Sequence, residues 1–329
     1  RLFQKKAHVI VLCGSSMRMM ERLAGYKSPI YGRRTEQMLL TPLDFSDSVQ
    51  FMGGIPLEKA VEFYATVGGT PAYLQLLDYK FGLEHNICSK ILPKMEFLNQ
   101  DAMFVLREEL DEPRNYFSIL KSLSKGNTQL GAIVNDTGQQ RNLVAKYLSV
   151  LTDLHIVERR VPLTEKHGAR SRKGIYQISD PYFRFWFRFV FDNLPYLEAT
   201  NPRKTYLDRI KPTLNEHVAS IFEDMCLRWL KTRKDFSEYA IGRWWKDSHE
   251  IDIIGLDETK NILLLVEVKW SNLTELDARR ILDSLLTKAE HIDWQKKGRK
   301  IALGIIAKKI HSKDKLRKEG HHIFDIDDM

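Results

Sequence analysis

The chain has 329 residues, with 51 Lys or Arg against 43 Asp or Glu for a formal charge of +8, and 43% of it is hydrophobic. That balance excludes a disordered chain and leaves room for two or three domains, each able to bury a core. No apolar run is long enough to cross a bilayer, and three scattered cysteines, Cys13, Cys88 and Cys226, lack metal-ligand spacing and fit buried thiols in a reducing cytoplasm.

The first expected element is a buried strand from Ala7 to Cys13, with no secretory leader pattern before it, so further chain is expected upstream. Gly14-Ser15-Ser16 follows, then an amphipathic helix, the stretch Gly25 to Thr35 with Gly32-Arg33-Arg34 at its end, and Leu40-Thr-Pro-Leu-Asp-Phe45. Val67-Gly-Gly-Thr-Pro-Ala-Tyr-Leu74 lies in a helical stretch beyond.

These segments resemble the latter part of the archaeal ATPase family related to AAA+ and STAND proteins, whose members often carry a C-terminal domain with a nuclease-like fold. The resemblance implies a remnant of the ATPase core over residues 1–52 and a helical lid over 53–110. It makes Ser15 or Ser16 a nucleotide sensor and places Arg33 near the phosphates. The sequence departs from the family in having no G-x-x-x-x-G-K-[ST], so the backbone cradle and lysine that hold a triphosphate are absent. ATP is therefore expected as a cofactor only when a further N-terminal part is present, and ATP hydrolysis by this chain alone is not expected.

Residues 111–195 read as a winged helix-turn-helix. Glu112-Pro113 starts a helix with an apolar stripe at Tyr116, Ile119, Leu120 and Leu123. A short helix follows at Leu130 to Val134, then the turn Asn135 to Gly138. The next helix, Gln139 to Leu154, buries Leu143, Val144, Tyr147, Leu148 and Leu151. Ile156 to Val161 and Gly174 to Ile178 make a hairpin with a basic tip. Gln139, Gln140, Arg141 and Asn142 open the second helix of the pair, the part that enters a major groove, and suit base edges. From Gln139 to Lys173 there are eight Lys or Arg against three Asp or Glu, which favours a polyanion. Lys146, Arg170, Arg172 and Lys173 join the candidate DNA contacts. Within the following aromatic run, Tyr182 to Phe191, Arg184 and Arg188 argue for a helix docking between domains rather than a membrane segment.

In residues 205–329 two apolar strands carry charge: Glu250-Ile-Asp252-Ile-Ile254, and Ile262-Leu-Leu-Leu-Val-Glu267-Val-Lys269-Trp270. Alternation puts Glu250 and Asp252 on one face and Glu267 with Lys269 on another, while Ile251, Ile253, Val266 and Val268 point the opposite way into a core. Carboxylates on neighbouring strands hold a hard divalent ion, and a lysine two residues past the second can orient the attacking water. The residues resemble the PD-(D/E)xK nuclease fold: Asp252 stands at its metal-binding aspartate and Glu267-Val-Lys269 at its (D/E)xK element. Glu223, in the helix Val218 to Trp229, matches the glutamate that often completes the metal site, although no Pro precedes Asp252. The resemblance implies Mg2+ or Mn2+ bound by Asp252, Glu267 and Glu223, with Lys269 also catalytic. A helix from Leu276 to His291 and a strand from Ile301 to Ala307 complete the expected order.

Other features carry less. The tract His311 to Gly320 reads as a solvated helix face, His321 and His322 face opposite ways, and Trp244 and Trp245 read as packing. The fold expected is a multi-domain α/β chain of ATPase remnant with helical lid, winged helix-turn-helix and nuclease-like domain. The function expected is a cytoplasmic, metal-dependent DNA endonuclease. The alternative is a non-catalytic DNA-binding or regulatory module of an ATP-driven switch whose phosphate-binding half is missing.

Overall fold

The computed structural model describes residues 9–14, 17–26, 28–110, 112–165, 168 and 171–329. Ser15, Ser16 and Arg170 lie outside the described residues. The expected strand at Ala7 to Cys13 does not form over the described residues 9–13, and Val9 is 93% exposed. Apolarity makes a segment eligible for a sheet, but its N–H and C=O groups still need a neighbouring strand; among the described residues none pairs with it. Arg33 is exposed in a turn where its N–H bonds to the Ile30 carbonyl.

A helical part follows, with helices Leu57–Val67, Pro71–Leu76 and Phe97–Glu109. The helix Leu57–Val67 buries Val61, Phe63, Tyr64 and Val67. The segment before it is pinned where the Leu43 N–H donates to the Gly69 carbonyl at 2.9 Å. A Cβ on Gly69 would stand 1.9 Å from the Leu43 carbonyl oxygen, so only glycine allows that approach.

Three helices then pack together, Pro113–Ser124, Leu130–Thr137 and Arg141–Asp153, followed by the antiparallel pair β1 (Val157–Arg160) and β2 (Ile175–Ile178). The middle helix runs three residues beyond the expected Val134 and stops at Gly138, whose φ of +65° glycine adopts without strain. Leu143, expected in the core, is 39% exposed, while Val144, Tyr147, Leu148 and Leu151 are buried.

The aromatic run forms Pro181–Phe185, capped by the Asp180 carboxylate, and continues as a wide turn over Trp186–Val190. It is buried, and its polar tips find partners in the helical part: Tyr182 Oη donates to Leu98 O and Trp186 Nε1 to Asn99 O, each at 2.7 Å. The last part begins with the helix Lys211–Thr232 and holds a five-stranded sheet of β3 (Ala240–Lys246), β4 (His249–Asp257), β5 (Ile262–Leu273), β6 (Lys300–Ile310) and β7 (His322–Asp325), in that order. The first two pairings are antiparallel and the last two parallel, with the helix Glu275–Ala289 crossing from β5 to β6.

Two apolar cores result. One joins the helical parts, the aromatic run and the inner face of the helix Lys211–Thr232 to one sheet face through Ile253, Val266, Val268 and Trp270. The other lies between the opposite sheet face and the helix Glu275–Ala289, around Trp244, Ile251, Leu265 and Leu285. Ile251 and Ile253 therefore do not share a face as simple alternation requires. The register against β3 shifts between Gly242 and Trp244, where Asp252 and Ile253 of β4 stand opposite Arg243 alone, and this bulge in β4 turns the chain between the two isoleucines.

Candidate functional site

The bulge is also where β4 and β5 part. Their ladder ends at the pair Ile253 and Val266, while β4 stays paired to β3 as far as His249 and β5 to β6 as far as Leu273. The next residues on the parting strands are Asp252 and Glu267. Asp252 reaches across the gap, where its Oδ2 accepts the Val268 N–H at 2.7 Å. One carboxylate thus replaces the missing rung and stands at the mouth of a split between two strands.

Glu223 on the helix Lys211–Thr232 and Glu267 are close enough for their charge to be felt at Asp252. Burial, then those two charges, push the Asp252 carboxyl up to about 7, against the Val268 N–H that favours the charged form. Burial likewise raises Glu223, partly offset by Arg243. Lys269 Nζ donates to Glu267 Oε1 at 2.7 Å and Lys288 Nζ to Oε2 at 3.2 Å. Burial works to lower the Lys269 ammonium, but Glu267 with Asp252 and Glu223 outweighs it, so the group is held protonated above its ordinary range.

The donor set suits a hard divalent cation in type, with carboxylate oxygens from Asp252, Glu223 and Glu267. It is not a ready cage. Among the described residues no three carboxylate, imidazole or thiol groups are grouped to hold a metal ion. The expected ligand triad is instead met by cations, Glu267 by Lys269 and Lys288 and Glu223 by Arg243, whose Nη1 donates to Glu223 Oε2 at 3.0 Å. A buried carboxylate needs a counter-charge, and these side chains supply it.

The sequence reading missed Asp224, beside Glu223, which is 5% exposed and holds three arginines. Arg160 of β1, Arg184 of the aromatic run and Arg243 of β3 each approach its carboxylate to 2.7 Å. Although burial opposes ionisation, the three guanidiniums hold Asp224 well below the usual carboxylate range. The signal available was Arg184 in an otherwise aromatic run. An arginine there is bound to want a buried acid, but nothing local says which.

Of the candidate DNA contacts, Gln140, Arg141, Asn142 and Lys146 are exposed along one helix, and Arg172 is exposed. Gln139 is not available to a base edge, since its side-chain amide donates to Ser118 Oγ at 2.7 Å and ties the helix Arg141–Asp153 to Pro113–Ser124. Lys173 pairs with Glu165 at 2.6 Å. Arg159 and Arg160, counted in the basic excess, turn inward: Arg159 donates to the carbonyls of Gly168 and Ser171, and Arg160 to Asp224.

Fold and site define a mixed α/β protein whose five-stranded sheet, flanked by a helix on each face, gathers carboxylates and a lysine where two strands part. A family described as archaeal and bacterial proteins of unknown function matches residues 186–281. An uncharacterized protein of Methanocaldococcus jannaschii is 32% identical over 315 residues, covering 93% of this chain and 69% of that protein. The chain belongs to the family of that archaeal protein. Among solved structures, a repair endonuclease from Pyrococcus abyssi matches at 14% identity with a TM-score of 0.21, over 29% of this chain and 42% of that one, too slight a likeness to carry an argument. No helix among the described residues is long and apolar enough to cross a membrane.

Proposed function

We propose that the chain is a DNA-acting protein whose sheet carries a metal-dependent phosphodiesterase site at Asp252, Glu223, Glu267 and Lys269. The observation that carries this reading is the end of the β4–β5 ladder at Ile253 and Val266, with Asp252 in the gap. A sheet that merely packed would continue its ladder, and would not gather three acids there. Asp252 with Glu267 or Glu223 would hold Mg2+ or Mn2+. When bound, the ion supplies Lewis acidity and a bound water of lowered pKa. The Val268 N–H fixes Asp252 through Oδ2, which would leave Oδ1 to the ion. Lys269, protonated, is placed to orient the attacking water and to offset charge developing on the phosphoryl oxygens. Lys288 neutralises Glu267 until an ion arrives. The helices Pro113–Ser124, Leu130–Thr137 and Arg141–Asp153 with the β1–β2 hairpin support a winged helix, whose DNA face would be Gln140, Arg141, Asn142 and Lys146.

A second reading has its own observation. Glu223 and Glu267 already carry protein cations, which suits a nuclease-like fold that binds DNA without cutting it, as a regulatory module of an ATP-driven switch would. One experiment separates the two. Plasmid, linear duplex and single-stranded DNA are incubated with the protein in Mg2+ or Mn2+, beside Asp252→Ala and Lys269→Ala. The nuclease reading expects cleavage that Asp252→Ala abolishes with duplex binding intact, and that Lys269→Ala slows by about 10²-fold or more without loss of metal. A folded protein that binds DNA but cuts none of these substrates leaves the binding reading.

A further inference from the structure

The cations that stand on the two glutamates of the site are not held alike. Arg243 is clamped at both ends, with Nη2 on Asp224 Oδ1 at 2.7 Å and Nη1 on Glu223 Oε2 at 3.0 Å, and its side chain is largely buried. Its planar fork is fixed by Asp224, which Arg160 and Arg184 also grip, so Arg243 stays in place whatever happens at Glu223. Lys269 follows Glu267 by two residues on the same strand and makes a short contact to it, 2.7 Å at Oε1. The charges of Asp252 and Glu223 add to its hold.

Lys288 differs in every one of these respects. It reaches Glu267 Oε2 from another element, the helix Glu275–Ala289, at 3.2 Å, a longer approach than those of Lys269 and Arg243. Its side chain is 25% exposed, so water reaches it. It also lies in the last turn of its helix, where unpaired carbonyls favour a positive charge. Away from Glu267 the ammonium would keep both its hydration and a favourable field. The backbone that carries it would not need to move, because Leu285 and Ala289 on either side are wholly buried in the second core.

Glu267 has an ammonium on each of its oxygens, Lys269 on Oε1 and Lys288 on Oε2. A divalent ion at this carboxylate would meet both positive charges at close range. The contact that yields with least loss is the longest, the best hydrated and the one on a flexible stem from another element. We infer that Lys288 is the exchangeable counter-ion of the site: it leaves Glu267 Oε2 when a divalent ion is taken up, while Arg243 and Lys269 stay, and so it limits how tightly the ion is held. This rests on the metal-site reading above and deepens it by naming what regulates occupancy. Ion affinity is then set by a side chain from outside the strands and helix that carry the acids.

The test uses the full chain and Mn2+ alone, without DNA, and reads bound ion from the loss of the free Mn2+ signal in electron paramagnetic resonance. Lys288→Met keeps the aliphatic stem and removes the charge, whereas Lys288→Arg keeps the charge; urea midpoints check that both fold. The expected result is Mn2+ held about tenfold more tightly by Lys288→Met than by the unaltered chain, with no gain for Lys288→Arg. Lys288→Met should add nothing once Glu267→Gln is present, because the exchange acts through that carboxylate. Equal or weaker binding by Lys288→Met, or a gain that survives Glu267→Gln, would overturn the proposal. Asp252→Ala separates this from the reading beneath it. If the unaltered chain binds Mn2+ and Asp252→Ala does not, the metal site stands and the Lys288 comparison alone decides the exchange. If Asp252→Ala binds Mn2+ as well as the unaltered chain, or no variant binds it, the metal-site reading fails and the exchange falls with it.

Discussion

Among the described residues, Asp224 is the one on which the most charge converges. Three guanidiniums lie within 2.7 Å of its carboxylate, and Arg184 is itself only 7% exposed. Removing one member of a buried ionic group leaves the others uncompensated, which costs far more than the group contributes. Asp224→Ala should therefore destabilise the fold by about 3–5 kcal/mol in urea unfolding. Glu216→Gln, which breaks the half-exposed pair with Arg188, should cost under about 1 kcal/mol. Equal effects from the two substitutions would show that the cluster contributes nothing special. None of this was legible in the sequence, where Glu223 drew notice and its neighbour did not. A buried acid is recognised by its partners, and these lie 64, 40 and 19 positions away. By contrast, Asp252, Glu267 and Lys269 could be picked out because each interrupts a run that is otherwise apolar.

At the scale of elements, local pattern was readable and tertiary placement was not. The helices Pro113–Ser124 and Glu275–Ala289 and the strands β4, β5 and β6 overlap the segments read from the sequence, because an apolar stripe or run is a local property, whereas the helix Lys211–Thr232 contains the expected Val218 to Trp229 but begins seven residues earlier. The bulge that parts Ile251 from Ile253, the bond of the Leu163 N–H to the Arg243 carbonyl and the unpaired segment at residues 9–13 each depend on a distant partner. Two glycines test how far contact rather than propensity governs these elements. Gly69 faces the Leu43 carbonyl with no room for a Cβ, whereas nothing stands within 4 Å of a Cβ at Gly131, inside the helix Leu130–Thr137. Gly69→Ala should lower the melting temperature, with a cost of about 2–3 kcal/mol or more. Gly131→Ala should raise stability by about 0.5–1 kcal/mol through helix propensity. The same sign for both would refute the account of the Gly69 contact.

For the molecule as a whole, His217 joins the helix Lys211–Thr232 to the helical part. Its Nε2 meets the Ala65 carbonyl at 2.8 Å, and its ring lies edge-on between Phe185 and Phe189. Burial holds its pKa down to about 3, from 6.5 in an open chain, so the folded protein keeps it neutral. A depressed histidine contributes stability that is whole above pH 6.5 and is lost as pH falls towards 3, because the unfolded chain takes up the proton first. His217→Gln can still offer an amide N–H to Ala65. It should be less stable at pH 7, yet lose less with each pH unit between 6 and 4, by up to about 1.4 kcal/mol per unit. Urea midpoints measured at several pH values would decide it, and parallel slopes for the two proteins would exclude His217 as the titrating group.

The arginine cluster also bears on the order in which the chain can be completed during synthesis. Arg160 and Arg184 leave the ribosome before Asp224, and Arg243 leaves after it. Until Asp224 emerges, the two early cations have Glu158 as a neighbour but lack the acid that both grip in the finished fold. Burying them at that stage would strand positive charge in an apolar setting. The hairpin and aromatic run must therefore stay hydrated and open while some forty further residues are made. Their closure becomes a late event, and a nascent chain stalled before Asp224 should be cut readily by protease across the hairpin, whereas one released in full should resist.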